Sequence, residues 1–290
     1  MTKNINELVD RSIRVSVNQY PQIIPLLKGS AAWIGKSYAW KLGEAPDDNQ
    51  RRKDERKLER VIVEYFRDQL KRVVKEIKAD NKSQKNILQL SFWENELQLL
   101  WNKASGVFID IVLHGIDGAI NLLPLSAQAL INQGRIQNRV IRLGLEYKDQ
   151  WVKTINETTM KRVWNAVETW KQSGEPLDNL IKLLEEKPFM FDKARAKRIA
   201  VTETTRLHAL GNELTFKEAG YIKQWNWMTA QDELVCDTCR LGHEGGPYPI
   251  DELHNKLPAH VNCRCWSQPI VDEDALNETI DLTLEEGEYL

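Results

Sequence analysis

Cysteine is scarce in this chain: there are four in 290 residues, and none precedes Cys236. A scaffold laced by disulfides is thereby excluded, because a chain of this length with 42% hydrophobic residues can bury a core of its own. Long apolar runs are missing as well. The most apolar window, residues 106–131, is broken by Asp110, His114, Asp117, Pro124 and three glycines, which suits a core helix and loop better than a bilayer span. The opening MTKNINELVDRSIRV lacks a basic segment followed by an apolar one, so no secretory signal is expected and synthesis in a reducing cytoplasm is. A strong charge of either sign is also lacking. The formal net charge is −2, and since residues 272–290 hold eight acids and no base, the remainder carries +6, an excess that permits contact with nucleic acid without requiring it.

What is present is mostly helical periodicity. Residues 51–79 place Leu58, Val61, Ile62, Tyr65, Phe66, Leu70, Val73, Val74 and Ile77 at helical spacing, with eleven bases and six acids interleaved as a solvated face. A second helix is expected over about 92–113, with Trp93, Leu97, Leu100, Trp101, Ala104 and Phe108 on one stripe. A third carries Trp151, Ile155, Val163, Val167 and Trp170 and stops near Gly174, after which Pro176 opens a short helix. Residues 192–220 form another, capped by Asp192 and ended by Gly220.

Beyond Gly220 the period changes to two. Residues 221–229 alternate as a strand does, and CWSQPIV at 265–271 is a second strand candidate. The glycine- and proline-rich stretch between them is expected as a loop with one short helical turn at 250–256. The fold class is therefore mainly α: a helical region over 1–190, a small α+β domain over 191–271, and an acidic tail over 272–290 that frays or docks on a basic partner.

The cysteines fall in two tight groups, C-x-x-C at Cys236 and Cys239 and H-x-x-C-x-C at His260, Cys263 and Cys265. Two short knuckles brought together by a hairpin supply a tetrahedral zinc ion with its ligands, and five candidates compete here for four places. A structural zinc is expected rather than a catalytic one, because a thiolate-rich shell makes a bound water less acidic. His243 and His254, at spacings that suit no metal pair, are expected to be exposed loop residues.

Glu203 lies in the middle of an apolar stripe formed by Ala196, Ile199, Ala200, Leu207, Leu210 and Leu214. A carboxylate in that setting needs a partner, and Arg195, Arg198, Arg206 and Arg264 are candidates for an ion pair that ties the helix to the cysteine-bearing lobe.

The run from Arg195 to Cys265 resembles the phage Mu F-like minor head proteins, also called the phage head morphogenesis family. The resemblance rests on an arginine-rich helix with a T-E-T core (Thr202, Glu203, Thr204), an aromatic strand, a T-A-x-D stretch (Thr229, Ala230, Asp232) before C-x-x-C, and P-x-H-x-x-C-R-C (Pro258, His260, Cys263, Arg264, Cys265). It covers roughly residues 190–271. Two departures stand out: Val201 occupies a position where arginine is common, and the second knuckle reads HVNC where H-P-x-C is frequent.

The resemblance implies a virion protein of low copy number that sits near the portal or inner capsid and helps to build the head, present in the host cytoplasm during assembly, with a part in DNA packaging or ejection compatible with that placement. It implies no enzymatic activity and no membrane. The competing class is a zinc-supported nuclease-like enzyme of phage or prophage origin, with His260 as base and Glu203 or Asp232 as its acid or metal residue. No second histidine helix of the H-N-H kind follows the first knuckle. A non-viral zinc module on host DNA is disfavoured because phosphate contacts need clustered Lys and Arg.

Overall fold

The computed structural model describes residues 45, 47–79, 88–128, 130–186, 191–230 and 235–288. Asp232, singled out in the sequence, lies outside the described residues, as does the start of the expected helical region. The elements are α1 (Asp48–Ala79), α2 (Leu90–Asn121), α3 (Leu125–Gln128), α4 (Gln133–Ser173), α5 (Leu177–Glu186), α6 (Lys193–Ala219), β1 (Ile222–Met228), α7 (Asp237–Glu244), β2 (Tyr248–Pro249), α8 (Leu253–Lys256), β3 (Trp266–Val271) and α9 (Glu273–Glu288), with a 3-10 turn at Ile250–Glu252. The protein is thus mainly helical, with a small sheet in its C-terminal part. No described helix is long and apolar enough to cross a membrane.

Two compact units divide the chain, and neither follows chain order. One takes Lys53–Ile109 and Leu143–Val201; the other takes the residues up to Arg52, Asp110–Arg142 and Thr202 onward. In the first, Val73, Ile77, Trp93, Val163, Val167, Leu180 and Leu184 form a buried apolar cluster. Beside it lies a polar network: the Tyr65 hydroxyl donates to Glu96 Oε2 at 3.0 Å and faces Asn156 Oδ1 at 2.8 Å, while Arg72 Nη2 donates to Glu96 Oε2 at 2.9 Å. Glu96 has 1% of its side chain exposed, and Arg72 supplies the counter-charge that makes its burial tolerable. Burial, with the Glu96 charge second, pushes the Tyr65 phenol far above its ordinary value.

The second unit is organised by α6 against the 110–121 half of α2. A Cβ on Gly211 would lie 2.6 Å from the Val112 carbonyl oxygen and 2.9 Å from Gly115 C, and one on Gly115 would lie 2.9 Å from His208 Cα. Only glycine lets the two backbones approach so closely. Asn212 locks the crossing, its amide donating to Gly115 O at 2.8 Å and His208 O at 3.1 Å and accepting from the Ser267 hydroxyl at 2.8 Å. Packing on α6 therefore reaches β3 through one side chain.

The sheet has the order β2-β1-β3, antiparallel throughout. Strict alternation along 221–229 would place Ile222 opposite Trp225 and Trp227. An irregularity in the β1–β3 register between Ile222 and Gln224 shifts the phase, and Ile222, Trp225 and Trp227 are all buried. Trp225 stacks on Trp227 at 6.2 Å between ring centroids, and Tyr248 of β2 closes on Trp225 at 5.4 Å.

The acidic segment, expected to fray or to dock on a basic partner, forms α9. Asp272 Oδ1 caps it by accepting from Ala275 N at 3.1 Å, Glu273 and Asp274 stand in the first turn where the helix dipole favours acids, and Leu276 and Ile280 are buried. Glu273, Asp274, Glu278 and Asp281 are exposed on the solvent side of the helix, a pattern that composition alone hides.

Candidate functional site

The two knuckles are built by different local structures. Cys236 is the N-cap of α7 and Cys239 stands in its first turn, so C-x-x-C lies on a helix start and not on the bare turn that its loop-like sequence suggests. Gly242, on the same short helix, presses on β1: a Cβ there would meet the Trp227 ring at 2.8 Å. The Tyr248 hydroxyl donates to Gly242 O at 2.8 Å, and His243 Nδ1 donates to Trp227 O at 2.7 Å. These contacts hold the first knuckle against the aromatic face of the sheet.

The second knuckle is a tight turn in which Cys263 N donates to His260 O at 3.2 Å and Asn262 takes φ 65, a conformation asparagine tolerates. His260 Nδ1 lies 2.8 Å from Val261 O, a contact it can make only as a donor. Nε2 is thereby left with its lone pair outward, at 3.2 Å from Cys236 Sγ and 3.0 Å from Cys239 Sγ. Cys239 Sγ in turn lies 3.9 Å from Cys263 Sγ.

All five sequence candidates therefore come together. Cys236, Cys239 and His260 form one group, and Cys239, Cys263 and Cys265 another, within each of which the ligand atoms lie inside 4.8 Å of one another. Both groups could hold a metal ion, and Cys239 belongs to each. All four cysteines are free thiols. Cys239, Cys263 and Cys265 are buried, while Cys236 and His260 are exposed.

The thiols differ in their ease of ionisation. A hydrogen bond from the Cys265 thiol, helped by backbone N–H groups and working against burial, brings Cys263 down to about 5. Cys265 is pushed far up, first by that same bond and then by burial. Burial raises Cys239 to about 12, whereas the Cys239 backbone N–H lowers Cys236. Bonding to the Val261 carbonyl, together with the neighbouring sulfurs, raises His260. The Cys263 thiol thus ionises readily, as a metal ligand must.

Residues 160–267 match the family model described as Phage Mu protein F like protein. This segment is similar to that phage family. The match spans α6, the sheet strands β1 and β2, both knuckles and the start of β3, together with part of α4 and all of α5. No curated protein and no solved structure matches the chain.

Within the phage Mu F-like segment the T-E-T core meets the second knuckle directly. Thr205 Oγ1 donates to Cys263 O at 2.6 Å, and Asn262 N donates to Thr202 Oγ1 at 3.0 Å. Glu203 is buried, and Arg206 of the same helix pairs with it at 3.4 Å with a third of its own side chain exposed. Arg198 and Arg264 are exposed. Arg195 stacks over the Phe66 ring at 4.6 Å and donates to Thr159 Oγ1 and Ile155 O, each at 2.9 Å.

Two histidine–carboxylate pairs were not apparent from the sequence. His208 Nδ1 lies 2.8 Å from Asp47 Oδ2, and a Cβ on Gly118 would lie 2.9 Å from the same oxygen, so glycine makes room for the carboxylate. Burial works to raise the Asp47 carboxyl, but bonding to His208 and the charge of Arg51 hold it below its ordinary value. His254, expected in an exposed loop, binds Glu213 through both its backbone N–H at 2.8 Å and Nδ1 at 2.6 Å. His243 is likewise half-buried and bonded to the sheet. The expectation that both are free loop residues is corrected: each fastens the connection between β1 and β3. A histidine at irregular spacing gives no sequence signal for such a tether.

Proposed function

We propose that this chain is a phage minor head protein acting in head morphogenesis, bound at the portal or the inner capsid, and that its Cys/His cluster holds one structural zinc ion. The observation that carries the assembly role is the phage Mu F-like segment over residues 160–267, preceded by long helices. In this reading the helical region supplies the surface for portal or capsid contact, and the C-terminal lobe is a compact docking module present in the virion. A part in DNA packaging or ejection fits the same placement.

Zinc suits the donor set. Bonds of about 2.3 Å at tetrahedral angles put two thiolate sulfurs about 3.8 Å apart, and Cys239 and Cys263 stand at 3.9 Å. A non-enzymatic role is favoured over a nuclease because His260, the candidate base, turns Nε2 toward two sulfurs and engages Nδ1 with its neighbour's carbonyl. Of the two histidines paired with an acid, His208 is 2% exposed and beyond the reach of a polymer substrate, and His254 is held to Glu213 through its backbone N–H and Nδ1.

Deleting the gene from its phage and examining the particles tests the role. Loss or malformation of heads, with the protein found in wild-type particles beside the portal, is the expected outcome. Normal, DNA-filled heads made without it, combined with metal-dependent DNA cleavage by the purified chain, would reverse the assignment toward the enzyme.

A further inference from the structure

We propose that the metal shell consists of Cys236, Cys239, His260 and Cys263, and that Cys265 stays outside it. This inference rests on the zinc site proposed above and resolves which of five donors is left over.

Cys236 and Cys239 are three residues apart, with Arg240 N donating to Cys236 O at 3.0 Å. His260 and Cys263 are also three residues apart, and their turn is closed by the 3.2 Å bond from Cys263 N to His260 O. The chain therefore offers two i,i+3 knuckles, each with two donors, and together they fill four positions. Cys265 belongs to neither turn. It lies one residue before β3, and its carbonyl accepts from Arg51 Nη2 at 3.4 Å.

Side-chain geometry agrees. His260 Nε2 reaches both sulfurs of the first knuckle, and Cys263 Sγ reaches the buried sulfur Cys239, so the four donors form a connected set through Cys239. The second knuckle is also the segment clamped to α6: Thr205 holds the Cys263 carbonyl and Thr202 the Asn262 N–H. That clamp aims His260 and Cys263 as a unit. A metal in this shell has three thiolates and one imidazole, with Cys265 left beside the ligand sulfurs of Cys239 and Cys263.

X-ray absorption on the zinc-loaded full-length wild-type chain reads the shell without any mutation. Three sulfurs at about 2.3 Å and one nitrogen at about 2.0–2.1 Å are expected. Cobalt substitution supplies the second measurement: Cys265→Ser should keep one tetrahedral cobalt per chain with undiminished thiolate charge-transfer intensity, while Cys263→Ser should lose about a third of that intensity or the metal itself. A four-sulfur shell, or loss of the tetrahedral spectrum in Cys265→Ser, overturns the ligand assignment and leaves the metal site standing. Failure of the wild-type chain to bind either metal overturns both.

Discussion

At the scale of single residues, Thr202 and Thr205 tie α6 to the second cysteine knuckle. Thr205 is 1% exposed and donates at 2.6 Å to the carbonyl of a proposed metal ligand. Replacing it by valine keeps the shape but strands that carbonyl, at a cost of about 1–3 kcal/mol. Thermal unfolding of Thr205→Val and Thr205→Ser side by side checks this, with serine expected to recover most of the loss; equal melting of all three proteins would show the bond to be dispensable. Glu213 makes a second residue-scale prediction. Burial works to raise its carboxyl, but bonds from His254 and Lys217 outweigh it and hold the group below its ordinary 4.5. A depressed carboxylate contributes stability that is fully present above its unfolded value and is lost as pH falls through the folded one. Glu213→Gln should therefore melt lower than wild type at neutral pH, and the gap should close below about pH 4.5. A gap that persists unchanged in acid would assign the effect to packing instead of charge.

At the scale of elements, the crossing of α2 and α6 depends on Gly115 and Gly211. In an open helix Gly→Ala stabilises by about 0.5–1 kcal/mol, but at 211 the added carbon would lie 2.6 Å from a backbone oxygen. Gly211→Ala is expected to destabilise by about 1–3 kcal/mol, as overpacking does, and a calorimetric melt decides the sign. The long helices were legible in the sequence because each shows its apolar face over many turns; α1, for example, buries Leu58, Ile62, Phe66, Val73 and Ile77 at the spacing the pattern requires. Shorter elements were not legible. The eight-residue helix α7 buries little besides Cys239 and so has no stripe to detect, and β2 is two residues long with proline as one of them. For α9 the signal was available in Asp272 followed by Leu276 and Ile280, but the acidic composition masked it. The five metal candidates were readable from spacing alone. The Asp47–His208 and Glu213–His254 pairs were not, since each joins residues more than forty positions apart.

For the whole molecule, the C-terminal lobe is proposed to fold around its Cys/His cluster, while the helical unit built on Val73, Trp93, Val163 and Leu184 has a core of its own. Because thiolate ligands are supplied by the folded lobe and not by the unfolded chain, metal binding contributes directly to folding there. Removing the ion should then unfold the C-terminal part and leave most of the helical signal. The most direct test is metal analysis of the full chain purified without chelator, followed by melting before and after treatment with a strong chelator. About one zinc per chain, and a low-temperature transition that appears only after chelation, are the predicted results. Sub-stoichiometric zinc together with an unchanged melting curve would contradict the account.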